Sequence, residues 1–118
     1  MDDGRPIFLQ VAEQIEGQIL DGTMTEEGQV PSINELSAFH RINPATALKG
    51  INLLVEAGIL YKRRGIGMFV APGAREVLLA QRRDAFRTQY VRPLVNEAIK
   101  LAITPQQLTQ MIQKETEK

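Results

Sequence analysis

Two neighbouring segments of this 118-residue chain carry the side chains best suited to binding chemistry. The first, residues 44–58, sets short polar or basic side chains such as Thr46 and Lys49 opposite an apolar stripe. The second, residues 59–70, combines three consecutive bases at positions 62–64 with two closely spaced glycines. Hydroxyl and cationic groups donate hydrogen bonds to base edges and phosphate oxygens. A polar helix face followed by a basic hairpin therefore indicates DNA binding.

Apolar spacing and capping signals predict three helices ahead of the hairpin. A Ser-x-x-Glu capping box at Ser32 and Glu35 begins the second helix, after a loop at residues 23–30. Asn43 as the cap and Pro44 at the first helical position begin the third. The first helix has an apolar stripe made of Phe8, Ala12, Ile15 and Ile19. The third has an inward stripe made of Ala47, Gly50, Ile51 and Leu54.

The remaining elements predict the fold class. Residues 59–63 and 67–71 predict two strands, joined by a turn in which Gly65 and Gly67 can adopt positive φ. After residue 73 the pattern is helical again, and either two helices meet at Pro93 or one long helix kinks there. A last helix begins at Thr104. We therefore expect an α+β, mainly α protein: a winged helix-turn-helix domain at residues 1–72 and a short helical dimerisation tail at residues 73–118.

Composition argues against several other classes of protein. The chain has no cysteine and a single histidine, His40, so no metal cluster and no nucleophile–base pair can be assembled from it. We expect no enzyme activity, no metal and no cofactor. No apolar run approaches the ~20 residues of a membrane span. The acidic start at residues 1–5 lacks the apolar segment of a signal peptide, which favours a cytoplasmic protein with no membrane partner.

The tail has an apolar face that needs a partner. Forty-six residues bury such a face poorly on their own, and reading a two-fold DNA site requires a dimer. We therefore expect the tail to form a homodimer interface. The residues predicted at this interface are Leu79, Phe86, Tyr90, Val91, Leu94, Val95, Ala98, Leu101, Leu108, Met111 and Ile112.

Three segments of the chain resemble the GntR family of bacterial transcription regulators. They are PIFLQ at residues 6–10, PSINEL at residues 31–36 and RRGIGMFV at residues 63–70. INPAT at residues 42–46 and the short tail resemble the YtrA-type subfamily. The resemblance implies a homodimeric repressor, often of an operon encoding an ABC transporter, bound to double-stranded DNA at a near-palindromic operator. Three options for the relief of repression stay open: a small-molecule effector in the dimer cleft, another protein, or no inducer of either kind.

The family also suggests which residues touch DNA. It commonly has arginine at the positions held here by Asn34 and Pro44, and Pro44 cannot donate a hydrogen bond. Base reading therefore falls to Ala45, Thr46 and Lys49. The full set expected at the DNA is Ser32, Asn34, Arg41, Asn43, Ala45, Thr46, Lys49, Lys62, Arg63, Arg64, Gly65 and Gly67. The alternative is a winged-helix module that docks onto another protein, and an enzyme is the weakest interpretation.

Overall fold

The computed structural model describes residues 4–117 and divides near residue 80 into two compact units. Residues 1–3 lie outside that range; they belong to the acidic start of the chain, from which the sequence analysis predicted that there is no signal peptide. The N-terminal unit contains α1 (Ile7–Leu20), α2 (Ile33–His40), α3 (Pro44–Glu56), β1 (Leu60–Arg63), β2 (Gly67–Val70) and the start of α4 (Ala74–Phe86). The second unit contains the end of α4, a π-helical turn (Arg87–Val91), α5 (Arg92–Lys100) and α6 (Pro105–Thr116). Within residues 4–117, none of the helices is both long enough and apolar enough to cross a membrane.

The core of the N-terminal unit lies between the predicted stripes of α1 and α3. All four α3 stripe residues are buried, as are Ala12, Ile15 and Ile19 of α1, which confirms the predicted spacing; Phe8, the first residue of the predicted α1 stripe, is only half-buried. The two helices approach closely at Gly50, where an added Cβ atom would lie 2.8 Å from the Phe8 carbonyl oxygen. The missing side chain therefore allows the two helix backbones to approach, which fixes α3 against the domain.

The predicted helix starts of α2 and α3 are confirmed. Ser32 Oγ accepts a hydrogen bond from the Glu35 backbone N–H at 3.1 Å, and Glu35 Oε1 accepts one from the Ser32 N–H at 3.0 Å. Asn43 Oδ1 accepts a bond from the Ala45 N–H at 2.8 Å, and Pro44 follows the cap. Because each cap is formed by residues within three positions of one another, the start of each helix is defined by its own local sequence.

The predicted hairpin forms, and it also has an additional neighbour. β1 and β2 are antiparallel, with Leu60 opposite Val70 and Arg63 opposite Gly67. Residues 27–30, predicted as loop, pair with the other edge of β2: the Val70 N–H donates to the Gly28 carbonyl at 2.9 Å, and the Val30 N–H donates to the Met68 carbonyl at 2.9 Å. Residues 23–30 form a loop, as predicted, with an isolated bridge between Gln29 and Phe69. A two-stranded hairpin leaves backbone groups unpaired at its edge, and this part of the loop satisfies some of them.

Pro93 does not interrupt the helical backbone of the tail. Residues 74–100 are helical throughout, and α4 and α5 meet in the π-helical turn just before the proline. The Arg92 N–H reaches back to the Arg87 carbonyl across this wider turn. Pro93 is the second residue of α5 and directly follows this wider turn. A capping box at Thr104 and Gln107 begins α6, as the sequence predicted for Thr104.

Candidate nucleic-acid interface

One face of α3 points away from the core and is open along its whole length. We call it the outer face and define it as Ala45, Leu48, Lys49, Asn52 and Glu56, which are all exposed and line one shallow hollow. Thr46, also expected to read bases, is half-buried on the flank of the helix. The outer face therefore extends further along α3 than the predicted residues.

Lys49 is held at the α1 edge of this face. Its ammonium nitrogen lies 4.1 Å from the centroid of the half-buried Phe8 ring, a cation–π contact. The positive charge is thereby drawn towards α1, away from the side of the helix that carries Leu48 and Asn52. Those two residues occupy the part of the outer face that borders the hairpin. The sequence pattern places Asn52 opposite the core stripe, but neither residue was among the predicted DNA contacts.

The three consecutive bases of the hairpin point in different directions. Side chains alternate between the two faces of a strand. Lys62 lines a groove shared with α3, whereas the Arg63 guanidinium carbon lies 5.2 Å from the Phe69 ring centroid. Arg64 is exposed in the turn itself. The hairpin thus presents the basic side chain of Lys62 towards α3 and that of Arg64 at its tip.

The hairpin tip is tied to the domain by Gln29. Its side-chain Nε2 donates a hydrogen bond to the Ile66 carbonyl at 3.1 Å. A Cβ atom on Gly67, where φ is +145°, would lie only 2.6 Å from that nitrogen. Gly65 has φ +77° with open space around it, so its role is in the turn conformation. Gln29 carries no sequence signal for this contact, because the contact depends on the pairing of residues 27–30 with β2.

The groove between α3 and the hairpin has a volume of about 360 Å³. Ser32, Asn52, Lys62 and Ile66 line it, and Leu48 forms its rim on the helix side. Leu48 is 46% exposed and Ile66 58% exposed, so both apolar side chains remain open to solvent. Their position was detectable in part from the sequence, since Leu48 lies outside the inward stripe of α3.

The other predicted DNA contacts surround the start and end of α2. Ser32 and Asn34 are exposed in the first turn, and Arg41 is exposed at the C-terminal end, where its φ is +55°. Asn43 is exposed and uses its side-chain oxygen for the cap of α3. Hydrogen bonds from the backbone N–H and hydroxyl of Ser32 lower the pKa of Glu35 below its ordinary value, so this carboxylate stays charged beside the Ser32 cap.

Comparison with known proteins agrees with this geometry. The family model of bacterial regulatory proteins of the gntR family matches residues 8–70, just over half of the chain. The chain is also 26% identical over 91 residues to the HTH-type transcriptional repressor YtrA of Bacillus subtilis, covering 77% of this chain and 70% of YtrA. The similarity to YtrA confirms the subfamily resemblance noted from the sequence.

Solved structures show the same fold. A putative transcriptional regulator of the GntR family from Bacteroides thetaiotaomicron is 30% identical, with a TM-score of 0.79, over 94% of this chain and 96% of that one. The AraR DNA-binding domain in complex with operator ORX1 is 34% identical, with a TM-score of 0.57, over 60% of this chain and 86% of that one. The chain belongs to the GntR family of bacterial regulatory proteins and is a DNA-binding transcription regulator of the winged-helix type, not an enzyme.

Proposed function

We propose that the protein is a homodimeric repressor that binds a near-palindromic operator, controlling an operon such as one encoding an ABC transporter. The observation that carries this proposal is the continuous surface formed by the outer face of α3, the groove beside it and the basic hairpin tip. The repressor name of YtrA supports the direction of control. Occlusion of the promoter by the bound dimer would be sufficient for repression.

On DNA, α3 would enter the major groove with its outer face towards the bases. The hairpin would then reach the neighbouring backbone or minor groove, as the wing of a winged helix does. Lys62 in the groove and Arg64 at the tip would neutralise phosphates, and the open backbone at Gly65 would allow close approach. The fold similarity to the operator-bound AraR domain supports this placement.

The exposed apolar side chains of the tail support dimerisation through residues 73–118. Phe86 and Tyr90 are 57% and 63% exposed, and their ring centroids lie 5.5 Å apart. Leu94, Val95, Leu101, Met111 and Ile112 are also exposed large hydrophobic residues. Val91, Leu79 and Leu108 are partly buried, and Ala98 is buried. A set of this size would be unfavourable in a solvated monomer, and a second copy of the tail would cover it.

A fragment that isolates the DNA-binding domain should extend beyond residue 72. Ala74 and Leu78 at the start of α4 are 1% exposed and belong to the core cluster of the N-terminal unit. We therefore propose that residues 1–72 bind DNA, while the first turns of α4 complete their core and the rest of the tail dimerises.

We place the small-molecule effector, where one relieves repression, in the cleft between the two tails, and the protein itself in the cytoplasm with its DNA.

Selection of bound sequences from random duplex DNA, at physiological salt and with the purified full chain, tests this function. The proposal predicts an inverted repeat whose half-sites are separated by about one helical turn. The matched control is the same chain with Lys62 and Arg64 both changed to alanine, which should recover few bound sequences. Recovery of no motif by the unaltered protein would contradict operator reading and favour a docking module.

A further inference from the structure

Leu48 is the largest apolar side chain on the outer face of α3. It lies on the outer face of α3, between Ala45 and Asn52, and 46% of it is exposed. The α3 core stripe is complete without it, since Ala47, Ile51 and Leu54 are each at most 3% exposed. Packing against the hairpin does not account for Leu48 either, because Ile66 across the groove is still more open.

The basic side chains around Leu48 suit DNA as the occupant of this surface; Glu56, one turn beyond Asn52, is the acidic member of the outer face. Lys62 lines the adjoining groove, Lys49 lies at the α1 edge of the face, and Arg64 is exposed at the hairpin tip. Positive groups that flank a helix face fit the phosphate backbones on either side of a major groove. Leu48 would then be held against base edges, where it can neither donate nor accept a hydrogen bond.

The major groove presents one apolar group, the C5-methyl of thymine. We propose that Leu48 is a specificity-determining residue that selects a T·A pair in each operator half-site by contact with this methyl group. The inference rests on the proposed function, because it requires α3 to lie in the major groove. Asn52, one turn further along the outer face, supplies the hydrogen-bonding groups that Leu48 lacks.

The test compares selections made with the unaltered protein, Leu48→Ala and Leu48→Met. The unaltered protein and Leu48→Met should recover a motif with thymine at one fixed position in each half-site. Leu48→Ala should recover the same motif with that position degenerate. Thermal unfolding of each variant checks the fold, which the half-exposed position of Leu48 should preserve.

A second measurement removes the methyl group from the DNA alone. Replacing that thymine with deoxyuridine leaves its hydrogen-bonding groups intact, and it should weaken binding of the unaltered protein and of Leu48→Met by about fourfold per half-site. Binding of Leu48→Ala should be nearly insensitive to the replacement. Deoxyuridine at other thymines of the operator is the matched control.

The results separate the two claims. The role of Leu48 is overturned, with operator binding intact, by either of two results. One is that Leu48→Ala recovers the same motif as the unaltered protein, with the thymine still fixed. The other is that deoxyuridine replacement weakens binding of Leu48→Ala and of the unaltered protein equally. No motif with the unaltered protein overturns the proposed function and this inference with it.

Discussion

Gly50 of α3 and Phe8 of α1 are in backbone contact: a Cβ atom on residue 50 would lie 2.8 Å from the Phe8 carbonyl oxygen and 3.4 Å from Val11 Cβ. The same Phe8 carries its ring beneath the Lys49 ammonium. Phe8 therefore fixes both the approach of α3 and the position of one of its charged side chains. The precision with which α3 is presented depends on a helix that the sequence interpretation treated only as core.

We predict that Gly50→Ala lowers the free energy of unfolding by about 1–3 kcal/mol, because the added methyl group meets a backbone oxygen that cannot rotate away. Gly17→Ala in α1 is the matched control, since an added Cβ atom there meets nothing within 4 Å. It should raise stability by about 0.5–1 kcal/mol through helix propensity. Urea unfolding measures both. A stabilised Gly50→Ala variant would contradict the close approach of α1 and α3.

We expect Gln29→Ala to loosen the hairpin tip, since it removes the hydrogen bond from Gln29 Nε2 to the Ile66 carbonyl. Amide hydrogen exchange at residues 64–67 should accelerate. Operator affinity should fall by about threefold to tenfold, which corresponds to the net free energy of one hydrogen bond. Gln110→Ala, an exposed change in α6, controls for loss of an amide elsewhere. Unchanged exchange at the tip would show that Gln29 does not restrain it.

Arg64→Ala should reduce the salt dependence of operator binding. Arg64 is exposed at the hairpin tip, so we expect it to neutralise about one phosphate, and its removal should make the negative slope of log K against log salt shallower by about 0.9 per half-site. Lys49→Ala should have a smaller effect on the slope, because its ammonium lies over the Phe8 ring. Fluorescence anisotropy over a salt series measures both slopes. An unaltered slope in Arg64→Ala would remove the tip from the set of DNA contacts.

Ala102→Gly should stabilise the tail. Ala102 has φ +57°, the left-handed conformation, in the turn where the Ile103 N–H closes the end of α5 on the Ala98 carbonyl at 2.9 Å. Glycine avoids the cost of about 1 kcal/mol that a side chain pays in this conformation, so the melting temperature should rise. Ala80 is exposed within α4, and Ala80→Gly should lower the free energy of unfolding by a similar amount, so that the melting temperature falls. A fall in both variants would show that residue 102 does not adopt this conformation in solution.

The helix starts and the inward face of α3 could be predicted because their signals are local. Ser32 with Glu35, and Asn43 with Pro44, are read from a few neighbouring positions, and the stripe of α3 follows from helical spacing. Contacts between distant segments gave no such signal. The contact of Gln29 with the hairpin tip depends on the pairing of residues 27–30 with β2.

The side-chain directions within the candidate interface were equally hidden. The three bases at positions 62–64 form one cluster in the sequence, but strand alternation sends Arg63 over Phe69 and Lys62 into the groove. Lys49 lies opposite the core stripe by helical spacing, yet Phe8 draws its charge to one edge. Pro93 left two options open because a π-helical turn has no simple sequence pattern, and the structure places such a turn immediately before it.

The most direct test of the central claim is the stoichiometry and affinity of the full chain on the selected inverted repeat and on a single half-site. Sedimentation and anisotropy at physiological salt should show two protomers on the repeat, bound far more tightly than the half-site, because the tails of the two bound copies hold each other in place. One protomer per repeat, or equal affinity for the repeat and the half-site, would contradict a dimeric operator reader.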